Sequence, residues 1–313
     1  MHNNQTLVPV VSRSILMLLV LSLTQAGGAE RRRKTRPGEE WATTGDQMFG
    51  PWFGESDAER LALEDFEIDL REERRIGEAM VDEFLTSLKR QGVRVTRRGT
   101  GVAYVQSLLS QIRRRMQHAE RYREIRVYVA NSPDTDARAF PGGSIVVMTG
   151  LIEFAESEAA LVGVLGHELS HIDHGHQLRT ARAAKLAQHG WDFRNGSPQD
   201  MQRQIMVMSK NFARPFNAED EAIADRDGAT WAFELGYDPP QLAEVFRRFE
   251  QRRPRAQSQM PSFLRTHPYH AERYDDLRES AVQLLADQPR TALYVGRKNL
   301  AKRISRQTRE FAE

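Results

Sequence analysis

The chain has 313 residues, with 45 basic against 43 acidic side chains and a formal net charge of +2. With a pI near 8.9, that balance excludes the clear basic excess that a nucleic-acid binder needs. There is no cysteine, which excludes disulfides, thiolate metal ligands, a cysteine nucleophile and lipoprotein acylation, and suits an oxidising compartment.

Residues 1–29 carry Arg13, an apolar stretch from Ile15 to Leu23 and small residues over Ala26–Ala29. They predict a secretory signal peptide cleaved after Ala29, with an uncleaved anchor as the alternative. Residues 30–56 are rich in Arg, Gly and Thr and read as a flexible leader, with Arg31–Lys34 a solvated run. No second segment is long or apolar enough to span a bilayer, so the mature chain is expected to be soluble, without a transmembrane domain. Helical periodicity runs from Asp57 to Leu88 and from Val102 to about Ala119. Ile125–Ala130 alternates like a strand, and Ser144–Met148 is a second short strand. From Ser157 the pattern is helical apart from a polar loop around Trp191–Gln199. One core is expected over residues 57–285. A basic tail over 286–313 follows, with Thr291–Arg309 a helical candidate that packs or lies on the surface.

Residues 167–171 read HELSH. On a helix, positions i and i+4 share a face, so His167 and His171 can aim both imidazoles at one metal ion. Glu168 stays close enough to take a proton from a water at that metal. Leu161, Val162, Val164, Leu165, Leu169 and Ile172 make the helix nearly all apolar. Burying two histidines and a glutamate there is costly without a partner, and a metal supplies one.

A catalytic zinc needs a third protein ligand. The continuation HExxHxxGxxH fails here, because His174 and Gln177 stand where glycine and histidine would be required. His174 and His176 read instead as surface or supporting histidines beyond a helix stopped at Gly175. Residues 221–225 read EAIAD on a second helix, with Asn217 as N-cap, Glu219 and Asp220 in its first turn and Gly236 as its stop. Ala222, Ala224, Ala229, Trp231 and Ala232 form its packing stripe. Glu221 is therefore the expected third ligand, and Asp225 can accept the free N–H of a ligand histidine.

Residues 67–280 resemble the zinc metallopeptidases that include the CAAX prenyl protease and HtpX, most strongly their soluble periplasmic branch. The likeness rests on EIDLREERRIGEAM, FPGGSIVVMTGLI, HELSHIDHGH, FNAEDEAIADRDG, GYDP and THPYHAER, in that order. The chain departs from it at Asp136–Ala139 and lacks the multi-spanning helices of HtpX. The resemblance implies one Zn2+ per chain on His167, His171 and Glu221, with Glu168 as base and His267 with Arg273 as a late active-site pair. It implies a zinc endopeptidase acting on misfolded or unassembled envelope proteins, in the periplasm, with outer-membrane assembly machinery as a partner. The rival is a zinc-stabilised, chaperone-like binding protein with little or latent proteolysis.

The expected fold is α+β: a mostly helical, zincin-like domain with a small antiparallel sheet whose edge borders the zinc cleft. Pro141–Gly143 form a turn that favours positive φ, and an extended substrate is expected to add to the strand beyond it. Gly142, Gly143, Ser144, Ile145 and Val146 are its candidate contacts; an ordinary core strand is the alternative. His267 has three open roles: oxyanion donor, a latch in zinc's fourth position, or a loop histidine satisfied by neighbours. A cation early in a helix opposes the dipole, so Arg273 is expected to have a specific anionic partner.

Overall fold

The computed structural model describes residues 68–179, 181–182, 216–252, 263, 266–267, 271–290 and 292–313. The expected signal peptide, the leader over 30–56, the start of the first helical stretch and the loop around Trp191–Gln199 lie outside the described residues. In chain order the elements are α1 (Leu70–Arg90), β1 (Arg94–Thr96), α2 (Thr100–Arg113), β2 (Arg126–Asn131), β3 (Ala137–Phe140), β4 (Ser144–Met148) and α3 (Thr149–Phe154). Then come α4 (Glu158–Asp173), a 3-10 turn (His176–Leu178), α5 (Ala218–Glu234), α6 (Pro240–Gln251), α7 (Ala271–Asp287) and α8 (Arg297–Lys302). The α+β class holds, mostly helical with one small sheet.

That sheet is mixed rather than antiparallel. Its order is β1-β2-β4-β3, with β2 and β4 parallel and the outer pairs antiparallel. The chain leaves β2, crosses to form β3 at the edge, then turns through Pro141–Gly143 so that β4 fills the gap beside β2. The turn does carry positive φ, +75° at Gly142 and +86° at Gly143. A Cβ on Gly142 would stand 2.7 Å from the Cα of Arg74, so the backbone that approaches it belongs to α1. Buried Glu73 holds the turn there by accepting from the Gly142 N–H at 2.8 Å and from the Tyr122 hydroxyl at 2.8 Å.

The placement of β4 overturns the expected substrate strand. All five residues of Ser144–Met148 are buried, and both of the strand's hydrogen-bonding edges are taken, by β2 and by β3. A peptide has no edge there to add to, so Ser144, Ile145 and Val146 are core, and Gly142 and Gly143 shape a turn against α1. The sheet's outer edge on this side belongs to β3.

The two long central helices explain how the site is assembled. Helix α4 starts at N-cap Ser157, whose side chain accepts from the Ala160 N–H, and ends before Gly175 at φ +65°. Every residue of α4 is buried. Helix α5 starts at N-cap Asn217, which accepts from the Asp220 N–H at 2.7 Å, and stops before Gly236 at φ +83°. The helices touch through glycine. A Cβ on Gly166 would lie 3.0 Å from the Cα of Gly228, and one on Gly228 would lie 2.6 Å from the carbonyl oxygen of Gly163. Of the expected stripe on α5, Ala224, Ala229, Trp231 and Ala232 are buried while Ala222 is exposed. Gly228 makes the closest approach.

The C-terminal stretch departs from its expected single helix. Among its described residues only Arg297–Lys302 is helical, bounded by Gly296 and Arg303, both in the left-handed region. The Arg306 N–H reaches buried Glu158 at the start of α4 at 2.8 Å, beside the hydroxyls of Tyr104 and Tyr237 at 2.9 and 2.7 Å. Leu300 joins the main hydrophobic core.

Candidate metal centre

The close crossing of α4 and α5 sets Glu221 beside the histidine pair of α4. His167 and His171 face each other through Nε2 atoms 3.1 Å apart. Glu221 Oε1 is 3.5 Å from His171 Nε2, and Oε2 is 3.6 Å from His167 Nε2. His267 reaches the same point from the segment before α7. Its Nδ1 lies 3.0 Å from His167 Nε2 and 2.9 Å from Glu221 Oε1. All four side chains are buried. The His267 segment is fixed locally: its N–H bonds to Phe263 O, its ring stacks on Phe263, and Thr266 O accepts from the Phe216 N–H. Phe216 in turn stacks on His171 at 3.9 Å between ring centroids.

The remaining predicted residues surround this cluster. Glu168 places Oε2 2.9 Å from the Ala139 N–H on β3 and Oε1 3.2 Å from His267 Nε2. Asp225 Oδ1 lies 2.9 Å from His167 Nδ1. Arg273 has its anionic partners, Asp225 through Nε and Nη2 at 2.7 and 2.8 Å, and Glu221 through Nη1 at 2.7 Å. Gly142, Gly143, Ser144, Ile145 and Val146 are not part of this constellation. The contacts of two further residues bear on the site, Gln177, which the sequence did not single out, and His176, read from sequence as a surface or supporting histidine. Gln177 donates to Ala139 O at 3.0 Å, so both outward backbone groups of Ala139 are engaged. His176 contacts His171; its place in HELSHIDHGH was the available signal.

Charge balance dominates the electrostatics. Burial alone would raise the Glu221 carboxyl, but the charges of His267, Arg273 and His167 hold it well below the usual range. Asp225 is also held low, with Arg273 and His167 outweighing burial. Glu168 is lowered too, because His267 more than offsets its desolvation. Burial pushes His171 down to about 4. For His267 burial acts in the same downward direction, yet Glu221 and Glu168 outweigh it and raise the ring to about 10.

The donor set fits zinc. Four ligand atoms at 2.0–2.1 Å around a tetrahedral ion lie about 3.3 Å apart; the contacts named above run from 2.9 to 3.6 Å, and one ligand atom from each of the four side chains lies within 4.8 Å of the others. Imidazole nitrogen with carboxylate oxygen is a common zinc combination, and no thiolate is needed. Asp225 fixes the Nδ1–H tautomer of His167 and so leaves its Nε2 lone pair facing the cluster. Glu168 is buried beside the cluster, with Oε1 facing His267 Nε2 at 3.2 Å. Among the described residues, His167, His171, Glu221 and His267 are the one set of metal-binding side chains this tightly convergent.

The chain is similar to several known proteases. A beta-barrel assembly-enhancing protease of Yersinia pestis is 29% identical over 168 residues, covering 50% of this chain and 34% of that protein. The protein of the same name in Escherichia coli K12 is 27% identical over 171 residues, again 50% and 34%. The mitochondrial metalloendopeptidase OMA1 of Arabidopsis thaliana is 29% identical over 164 residues, 50% of this chain and 31% of its own. The matches span about a third of the length of these relatives. The model of peptidase family M48 matches residues 103–281, a stretch that holds α4, α5 and the start of α7 together, and the chain belongs to that family.

Proposed function

We propose that this chain is a zinc endopeptidase in which His167, His171 and Glu221 hold the metal and Glu168 acts as general base. The observation that carries this reading is the convergence of the three ligand atoms beside the buried carboxylate of Glu168. A zinc ion held there would polarise a scissile carbonyl and acidify a water molecule. Glu168 would take the proton from that water and pass it to the leaving amine. Asp225 holds the tautomer of His167, and Arg273 positions Asp225 and Glu221 from behind, which speaks for a supporting role over contact with substrate.

The substrate is proposed to be an extended protein segment lying along the outer edge of β3, because that edge runs past Glu168. Pairing there needs the Ala139 N–H and C=O released from Glu168 and Gln177. Together with His267 among the ligand atoms, this favours a second reading, a latent form with His267 in zinc's fourth position. Relatives named for beta-barrel assembly favour envelope proteins as substrates and contact with outer-membrane assembly machinery; the periplasmic location proposed with them rests on reading residues 1–29 as a signal peptide. Among the described residues, no helix is long and apolar enough to cross a membrane.

The test compares wild type with Glu168→Gln on unfolded casein after measuring zinc. The variant should keep its zinc and lose cleavage by several orders of magnitude. Unchanged cleavage would sink the mechanism. Absence of cleavage by the zinc-loaded wild type, with the variant still complementing a deletion, would favour the chaperone-like reading.

A further inference from the structure

The two histidines of α4 have different support. Behind His167 stands a carboxylate, Asp225. Behind His171 stands another imidazole: the Nδ1 atoms of His171 and His176 lie 2.8 Å apart, with ring planes at 71°. His176 reaches that place because Gly175, at φ +65°, ends α4 and turns the chain back into the 3-10 turn. Beyond it, Asp220 Oδ1 is 3.6 Å from His176 Nε2 and 2.8 Å from Arg179 Nη2. The His176 and Asp220 side chains are each 6% exposed, so water is a poor substitute for these contacts.

Hydrogen accounting fixes the direction. For His171 to offer its Nε2 lone pair to a metal, its Nδ1 must keep a hydrogen, and that buried N–H needs an acceptor. His176 Nδ1 is the acceptor in place, which puts the hydrogen of His176 on Nε2, towards Asp220. Stacking on Phe216 holds the plane of the His171 ring. It does not choose which nitrogen faces inward, because a half-turn of the ring keeps the stack. A hydrogen bond to Nδ1 does choose.

We propose that His176 is a positioning residue for the metal centre, accepting the Nδ1–H of His171 so that its Nε2 faces the ion. The proposal rests on the reading that His171 is a metal ligand. It makes the two histidine ligands unequal: His167 is backed by an anion and His171 by a neutral ring, so His171 is the less electron-rich ligand.

The experiment uses the full chain with His176→Leu and His176→Asn, since asparagine places an acceptor oxygen near the position of His176 Nδ1. Zinc affinity is measured by competition with a chromophoric chelator, and the visible absorption of the Co2+-substituted chain reports ligand geometry. His176→Leu should weaken zinc binding about 10- to 100-fold and shift the Co2+ bands, while His176→Asn stays close to wild type in both. His176→Ala repeats the test if the leucine variant does not fold. Unchanged affinity in the leucine or alanine variant overturns the proposal, and so does an asparagine variant that falls as far as the others. A His171→Ala chain that keeps its zinc would instead overturn the ligand reading beneath it.

Discussion

Replacing Arg273 with methionine isolates what its charge does, because methionine keeps much of the length and apolar contact. Arg273 is 6% exposed, bridges Asp225 and Glu221 through contacts of 2.7–2.8 Å, and lies 4.4 Å from the Phe246 ring centroid. Removing one partner of a buried ion pair strands the other, at about 3–5 kcal/mol. The methionine stem retains part of the packing on Phe246, so the loss is mainly electrostatic. For a chain of this size about 1 kcal/mol corresponds to 2–4 °C, so melting in chelator should fall by roughly 6–20 °C. With zinc bound, Glu221 gains a second cation and the loss should shrink. Because the folded-state pKa of Asp225 is depressed, its stabilisation is fully present above about pH 4 and is lost as pH falls through the folded value. Arg273→Met should flatten that acid-side decline in urea midpoints. A variant within about 1 kcal/mol of wild type, with an unaltered acid limb, would refute the reasoning.

Gly228→Ala should destabilise despite alanine's helix preference of about 1 kcal/mol, because the new Cβ would stand 2.6 Å from Gly163 O and 3.0 Å from His167 N. Relief requires the helices to part, at about 1–3 kcal/mol in urea unfolding; a more stable variant would contradict the glycine contact. His267→Ala should raise cleavage of casein, since its Nδ1 sits among the ligand atoms where a substrate's oxygen or water would have to come. A loss of about a hundredfold or more would assign it to oxyanion stabilisation instead.

The parts of this molecule written in local pattern were legible. HELSH on an apolar helix, Asn217 and Gly236 at the ends of α5, and the strands at 126–131 and 144–148 all follow from period, caps and β-branched runs. The sheet's edge was not. Ala137 and Ala139 favour helix, and β3 exists because its neighbours β4 and α4 hold it, although Pro141–Gly143 before a strand was a usable hairpin signal. Ser144–Met148 was misplaced for a readable reason. A strand apolar at four consecutive positions is covered on both faces, and its lack of alternation points to the middle of a sheet. Gly163, Gly166 and Gly228 look like helix weaknesses in sequence, and only the crossing of two helices gives them their use. Helical periodicity in Thr291–Arg309 was overridden by left-handed turns at Gly296 and Arg303 and by the pull of Glu158 on the Arg306 N–H.

The most direct test of the metal centre is zinc content by atomic absorption for wild type and the alanine variants at His167, His171, Glu221 and His174. The first three side chains converge within the ligand cluster, while His174 Nε2 is bound to Asp227 at 2.9 Å, away from it. Wild type and His174→Ala should carry about one zinc per chain, and each of the other three should lose most of it. Full zinc in Glu221→Ala, with loss in His174→Ala, would contradict the account.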